Sequence, residues 1–140
     1  MAIDRAHLGY SLPAFTVEVT AQRLADFCAA VGEANAAADA PAPPTFMKAI
    51  EGENHSSRRI LEALSVDLRR VLHAEQQFEY FAPIRAGDTL QVQRKVTDLY
   101  DKKGGAMEFI VIESSIRKAG GELVGTSRQV VLVRNPATRS

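Results

Sequence analysis

A chain of 140 residues is one domain's worth, long enough to bury a real core. Its hydrophobic fraction of 46% excludes a disordered or fibrous chain. Seventeen Lys and Arg against seventeen Asp and Glu leave no positive surplus for displacing counterions from phosphates, which argues against a nucleic-acid binder.

From the N-terminus, residues 15–19 read as a short strand, with Phe15, Val17 and Val19 alternating against Thr16 and Glu18. Thr20 is placed to cap a helix. Leu24, Phe27, Cys28 and Val31 follow as the apolar stripe of that helix, and Gly32 suits its end. Residues 33–42 are alanine-rich but run into Pro41, and read as a loop with possible helical turns. Pro43 and Pro44 hold off helix until Thr45, after which Phe46, Ala49 and Ile50 have helical spacing. Gly52 and Asn54 interrupt that segment. Ser56 or Ser57 is expected to cap the next, in which Ile60, Leu61, Leu64 and Leu68 share one face.

The pattern changes near Leu72. Residues 72–81 alternate in part, with His73, Glu75, Gln77 and Glu79 on one face and Ala74, Gln76, Phe78 and Tyr80 on the other. Residues 83–88 turn the chain, and residues 89–100 form a second long strand that ends at Lys102-Lys103-Gly104-Gly105. The run Phe109-Ile110-Val111-Ile112 within residues 107–116 implies burial on both faces, hence a central strand. Another turn at 119–122 leads to a last strand, 123–133. One buried helix ahead of a meander of antiparallel strands predicts an α+β fold, a curved sheet wrapped around a helix. No linker or repeat divides the chain, so a single domain over residues 1–140 is expected.

Three stretches in this order resemble the hot-dog fold of MaoC-like dehydratases and hydratases. They are Ala42-Pro43-Pro44-Thr45-Phe46; Leu72-His73-Ala74-Glu75-Gln76 running on to Phe78-Glu79-Tyr80; and Pro83-Ile84-Arg85-Ala86-Gly87-Asp88. The likeness spans about residues 8–134 and is nearest to the N-terminal-type MaoC domain, including the non-catalytic subunits of bacterial (3R)-hydroxyacyl-thioester dehydratases. It implies dimers whose sheets join side by side and an acyl-thioester ligand held between a central helix and the partner subunit.

The resemblance also says where chemistry belongs. The (R)-hydratase branch carries an Asp and a His four to five residues apart, because water must be deprotonated as it attacks C3 of an enoyl thioester while C2 is protonated. Here Glu33 falls at the Asp position and Asn35 at the usual Asn, but the His position falls on Ala38. The dyad is incomplete. Glu33 is the remaining acid/base candidate in that segment, set against a solvated loop carboxylate, which is the favoured reading.

His73 is the second candidate. His73 and Glu75, two apart on a strand, are expected to face the same way; they could form a charged pair in a pocket, but a strand-end histidine bonded to backbone is the commoner outcome. Asn35, Thr45, Phe46 and His55 are the candidates for substrate contact, with His55 also readable as a surface loop histidine. His7 reads as solvated and Cys28 as a buried, inert thiol. Arg58, Arg59, Arg69 and Arg70 could meet the phosphates of coenzyme A or of an acyl carrier protein, although a solvated helix face is the commoner role.

The three histidines and one cysteine have no metal-ligand spacing, and no glycine loop suits a phosphate, so no metal or cofactor is expected. The lone cysteine, the absence of an apolar run near the ~20 residues of a membrane helix, and a charged N-terminus unlike a signal peptide point to the cytoplasm. The expected function is binding of an acyl-CoA or acyl-ACP thioester, as a homodimer or as a heterodimer with a catalytic MaoC-like subunit. Two rivals remain: a self-sufficient homodimeric hydratase or thioesterase, and a non-enzymatic binding module.

Overall fold

The computed structural model describes residues 3–30, 42 and 46–135. In chain order these hold β1 (Ser11–Glu18), α1 (Ala21–Ala30), α2 (Phe46–Glu51), α3 (Ser56–Ala63), β2 (Val71–Tyr80), β3 (Thr89–Lys102), β4 (Met107–Lys118) and β5 (Leu123–Arg134). The strands form one antiparallel sheet in the order β1-β3-β4-β5-β2. β1 and β2 occupy opposite edges, so the segment joining them crosses the whole sheet. The helices of that segment cover one face, and the sheet curves around them.

β4 is the middle strand, as its apolar run predicts. Ile110 and Ile112 point towards the helices and Phe109 and Val111 to the outer face, where Phe109 stacks on Tyr100 at 4.8 Å. The helical side carries two apolar clusters. In one, Ile60, Leu61 and Leu64 meet Val96, Ile110, Ile112 and Val131. In the other, Phe46, Met47 and Ile50 meet Leu90, Val92, Ile116 and Val124.

Gly125 lets the second cluster close. A Cβ there would run into the end of Met47 and stand 2.7 Å from the Glu79 carbonyl oxygen, so only a bare backbone lets α2 settle this near the sheet. At the other end of α1, Thr20 caps as expected, accepting from the Arg23 amide at 3.1 Å, and Leu24 and Cys28 are buried. Val31, Gly32 and the 33–41 segment lie outside the described residues.

Three local expectations need correction. The first strand begins at Ser11, because a bulge between Leu12 and Phe15 absorbs Pro13 on an edge where a missing N–H is tolerated. The break at Gly52 is as expected, and a 3-10 turn over Glu53–His55 separates the two short helices. Ser56 does not cap α3: the position before the helix belongs to His55 at φ +53°, and the Ser56 hydroxyl instead donates back to the Glu51 carbonyl at the end of α2. Leu68 is not on the buried helix face. α3 ends at Ala63, and Leu68 sits in a later 3-10 turn, 40% exposed.

Candidate functional site

Arg94 is the least expected residue of the core. It takes the inward position in the alternation Leu90, Val92, Arg94, Val96 and is fully buried. Its register partner on β4 is Ser114, whose own partner on β5 is Ser127, so one polar layer runs across three strands between the two apolar clusters. Burying a guanidinium is costly unless its donors are met. Here Nε donates to Ser114 Oγ at 2.9 Å, Nη1 to Ser56 Oγ at 2.9 Å and Ser57 Oγ at 2.7 Å, and Nη2 to Gln129 Oε1 at 2.7 Å.

The counter-charge is Glu51, also fully buried, at the C-terminal end of α2. Its carboxylate makes no direct ion pair with Arg94. It accepts from the Ser127 hydroxyl and from Gln76 Nε2 at 3.2 Å. Burial pushes the Arg94 guanidinium below its ordinary pKa, and the Glu51 charge works against that shift. Two buried charges are thus held by neutral partners and balance one another through the layer.

At the β2 edge this layer meets solvent through His73. Gln129 Nε2 lies 2.8 Å from His73 Nδ1. The exposed Lys48, from α2, donates to Gln76 Oε1 at 3.3 Å. Partial burial lowers the His73 pKa, and the positive charges of Lys48 and Arg94 lower it further. Burial likewise lowers that of Lys48, with Glu51 opposing and Arg94 reinforcing.

His73 and Glu75 do not face the same way. A bulge between them pairs His73 with Val131 and Glu75 with Val130, so Ala74 is the extra residue. His73 therefore joins Gln76 on the helical face, while Glu75 turns to the outer face and meets Arg128 at 3.4 Å. The expected shared facing is lost, and no His73–Glu75 pair forms.

The other candidates are scattered. Phe46 is wholly buried, edge-on to Phe27 at 5.1 Å and beneath Arg23 at 5.7 Å, and shows no surface. His55 is exposed at the start of α3. Arg58 meets Glu62, and Arg69 and Arg70 both meet Asp67, whose carboxyl is pulled down to about 2 chiefly by its hydrogen bond from Arg69. Cys28 is buried. Glu33, Asn35, Ala38 and Thr45 lie outside the described residues. A groove of about 500 Å³ crosses the outer face between Gln77, Gln93, Lys95 and Glu113, on the side away from the helices. Among the described residues, no helix is long and apolar enough to cross a membrane.

Five antiparallel strands in this order, curved around a helical crossing, define a hot-dog protein. The family model of the FAS1-like dehydratase domain region matches residues 6–127, and a UPF0336 protein of Thermobifida fusca is 32% identical, over 98% of this chain and 97% of its own. The chain belongs to this FAS1-like dehydratase-region family and, within it, groups with the UPF0336 proteins. Among solved structures, the HadBC (3R-hydroxyacyl-ACP dehydratase) complex of Mycobacterium tuberculosis superimposes with a TM-score of 0.73 at 18% identity, covering 94% of this chain and 99% of the matched one. The ChsH1-ChsH2 complex of the same organism gives 0.69 at 15% identity, covering 93% and 87%. At such identities these two show the fold, and both are complexes of hot-dog subunits.

Proposed function

We propose that this chain is the thioester-binding, non-catalytic partner in a (3R)-hydroxyacyl-thioester dehydratase or enoyl-thioester hydratase assembly. The reading rests on the family's fold together with the sequence resemblance, which puts Ala38 at the position of the dyad histidine. Ala38 has no titratable group, and a site keeping only Glu33 of the two acid–base groups is slow. The solved relatives that pair two hot-dog subunits support a partner that supplies the missing Asp and His.

The two sheet edges support the same arrangement. Both edge strands carry a bulge, but β1 also carries Pro13, which lacks an N–H and discourages pairing with another chain. β2 has no proline, and from Glu75 to Tyr80 it runs in regular register, with Leu72 at its start 49% exposed. A partner sheet therefore joins at β2, which puts the Lys48 and His73 rim at the junction.

Thermal denaturation with crotonyl-CoA, run alongside a free-thiol assay, tests the binding half. A raised midpoint without thiol release is expected, by linkage of ligand binding to folding. Steady thiol release would make the protein a thioesterase instead.

A further inference from the structure

Gln129 joins Arg94 to His73, and the joint fixes the direction of every hydrogen bond in the chain. A guanidinium has only N–H donors, so the Gln129 atom 2.7 Å from Arg94 Nη2 is the amide oxygen. The amide NH2 must then be the group 2.8 Å from His73 Nδ1. An NH2 group has no lone pair to give, so Nδ1 accepts and cannot hold a proton. The neutral ring carries its single proton on Nε2.

The surroundings reinforce that state. Lys48 from α2 and Arg94 from β3 are the charged groups that act on the ring, and both are positive. β5 contributes only the neutral Gln129. The nearest carboxylate in sequence, Glu75, is turned to the other face by the bulge and held by Arg128. The His73 side chain is exposed at the β2 edge, and among the described residues no hydrogen bond engages Nε2.

We infer that Arg94 and Gln129 hold His73 as a neutral, Nε2-protonated imidazole, a fixed hydrogen-bond donor for the carbonyl oxygen of an acyl thioester bound at the β2 edge. The ligand named here rests on the function proposed above; the state of the imidazole does not. His73 touches the ligand. Arg94 and Gln129 are positioning residues, buried too deep to reach it. A donor fixed beforehand by a buried guanidinium needs no reorientation when the oxygen arrives, and it suits an atom on which negative charge develops. Lys48, which also offers only donors, leaves the rim selective for an acceptor oxygen.

Nitrogen-15 NMR of the full chain labelled at histidine tests the imidazole. Native His73 should show an acceptor-type Nδ1 and a protonated Nε2, and should titrate below the ordinary histidine value of about 6.5. Gln129→Glu places a carboxylate that accepts from both Arg94 and Nδ1–H, so the His73 midpoint should rise above the native one. Gln129→Leu, which buries no new charge, should abolish the Nδ1 hydrogen-bond signature. A native ring protonated on Nδ1, or a midpoint unmoved in a folded Gln129→Glu, would overturn the inference. The ligand is tested by titrating crotonyl-CoA into wild type and His73→Phe, with about a tenfold loss of affinity expected for one uncharged hydrogen bond. Unchanged affinity in folded His73→Phe removes His73 from the ligand site while leaving the thioester reading standing. No binding by wild type, alone or with a catalytic hot-dog subunit, defeats the thioester reading and the ligand assigned here, while the NMR result still decides the imidazole.

Discussion

The apolar layers under the helices and the polar layer between them are built from the same three strands by different physics. In the apolar layers, any well-fitting side chain of the right size fills the space, and stability follows the area removed from water. In the polar layer, Arg94 and Glu51 stay buried only because particular serines and glutamines stand at hydrogen-bonding distance. The first arrangement tolerates conservative change. The second requires its partners in place, and it is the one that reaches the surface at His73.

The largest effect should come from the polar layer. Arg94→Met leaves Glu51 buried without its counter-charge and orphans the oxygens of Ser56, Ser57, Ser114 and Gln129. A loss of about 3–5 kcal/mol in urea denaturation is expected. Arg94→Met combined with Glu51→Gln should lose less than the two singles added together, because neither charge is then left alone. Strict additivity would show that the two buried charges do not compensate one another.

The apolar layer comes next. Ile110→Ala should cost about 2–5 kcal/mol by transfer and cavity formation. Phe109→Ala, on the outer face against Tyr100, should cost less than Ile110→Ala; the reverse order would mean that the outer face is the covered one. Gly125→Ala should cost about 1–3 kcal/mol through the clash with Met47 and the Glu79 carbonyl, and a neutral result would mean that α2 is not seated there.

The smallest effect is a pH dependence. His73 has a folded pKa lowered below its unfolded value, so as pH falls through about 6.5 the unfolded chain binds the proton first. Stability should therefore decline on acidification from neutrality. His73→Gln should remove that part of the decline, which midpoints measured at several pH values would reveal. An acid limb identical in wild type and variant would mean that His73 is as readily protonated folded as unfolded.

How much of this was legible in the sequence differs between the same two layers. The alternation in β3 and the unbroken Phe109-Ile110-Val111-Ile112 run place the strands and the central position of β4 almost to the residue, because local period and burial agree there. The curved sheet around a helix follows from the order of the elements and the family resemblance; the strand order β1-β3-β4-β5-β2 comes from the structure alone. The polar layer was not read. Arg94 sits in phase with Leu90, Val92 and Val96, and that phase is the signal that it points inward; its meaning depends on Ser56, Ser57 and Gln129, which lie far away in sequence. The facing of His73 departs from the simple alternation for a related reason. The bulge at Ala74 is set by pairing with β5, which no local period encodes. Glu33 and Asn35 were placed by resemblance alone, and both lie outside the described residues.

The most direct test of the proposed role is the hydration of crotonyl-CoA by the purified chain, alone and mixed with a hot-dog subunit that carries an intact Asp/His pair. General acid–base assistance contributes about 10²–10⁴-fold, so a site lacking the dyad histidine should be slow by that order. Negligible turnover alone, with turnover above the partner's own when the two are combined, is the expected result. Brisk hydration by the chain alone would contradict it and make this protein an enzyme in its own right.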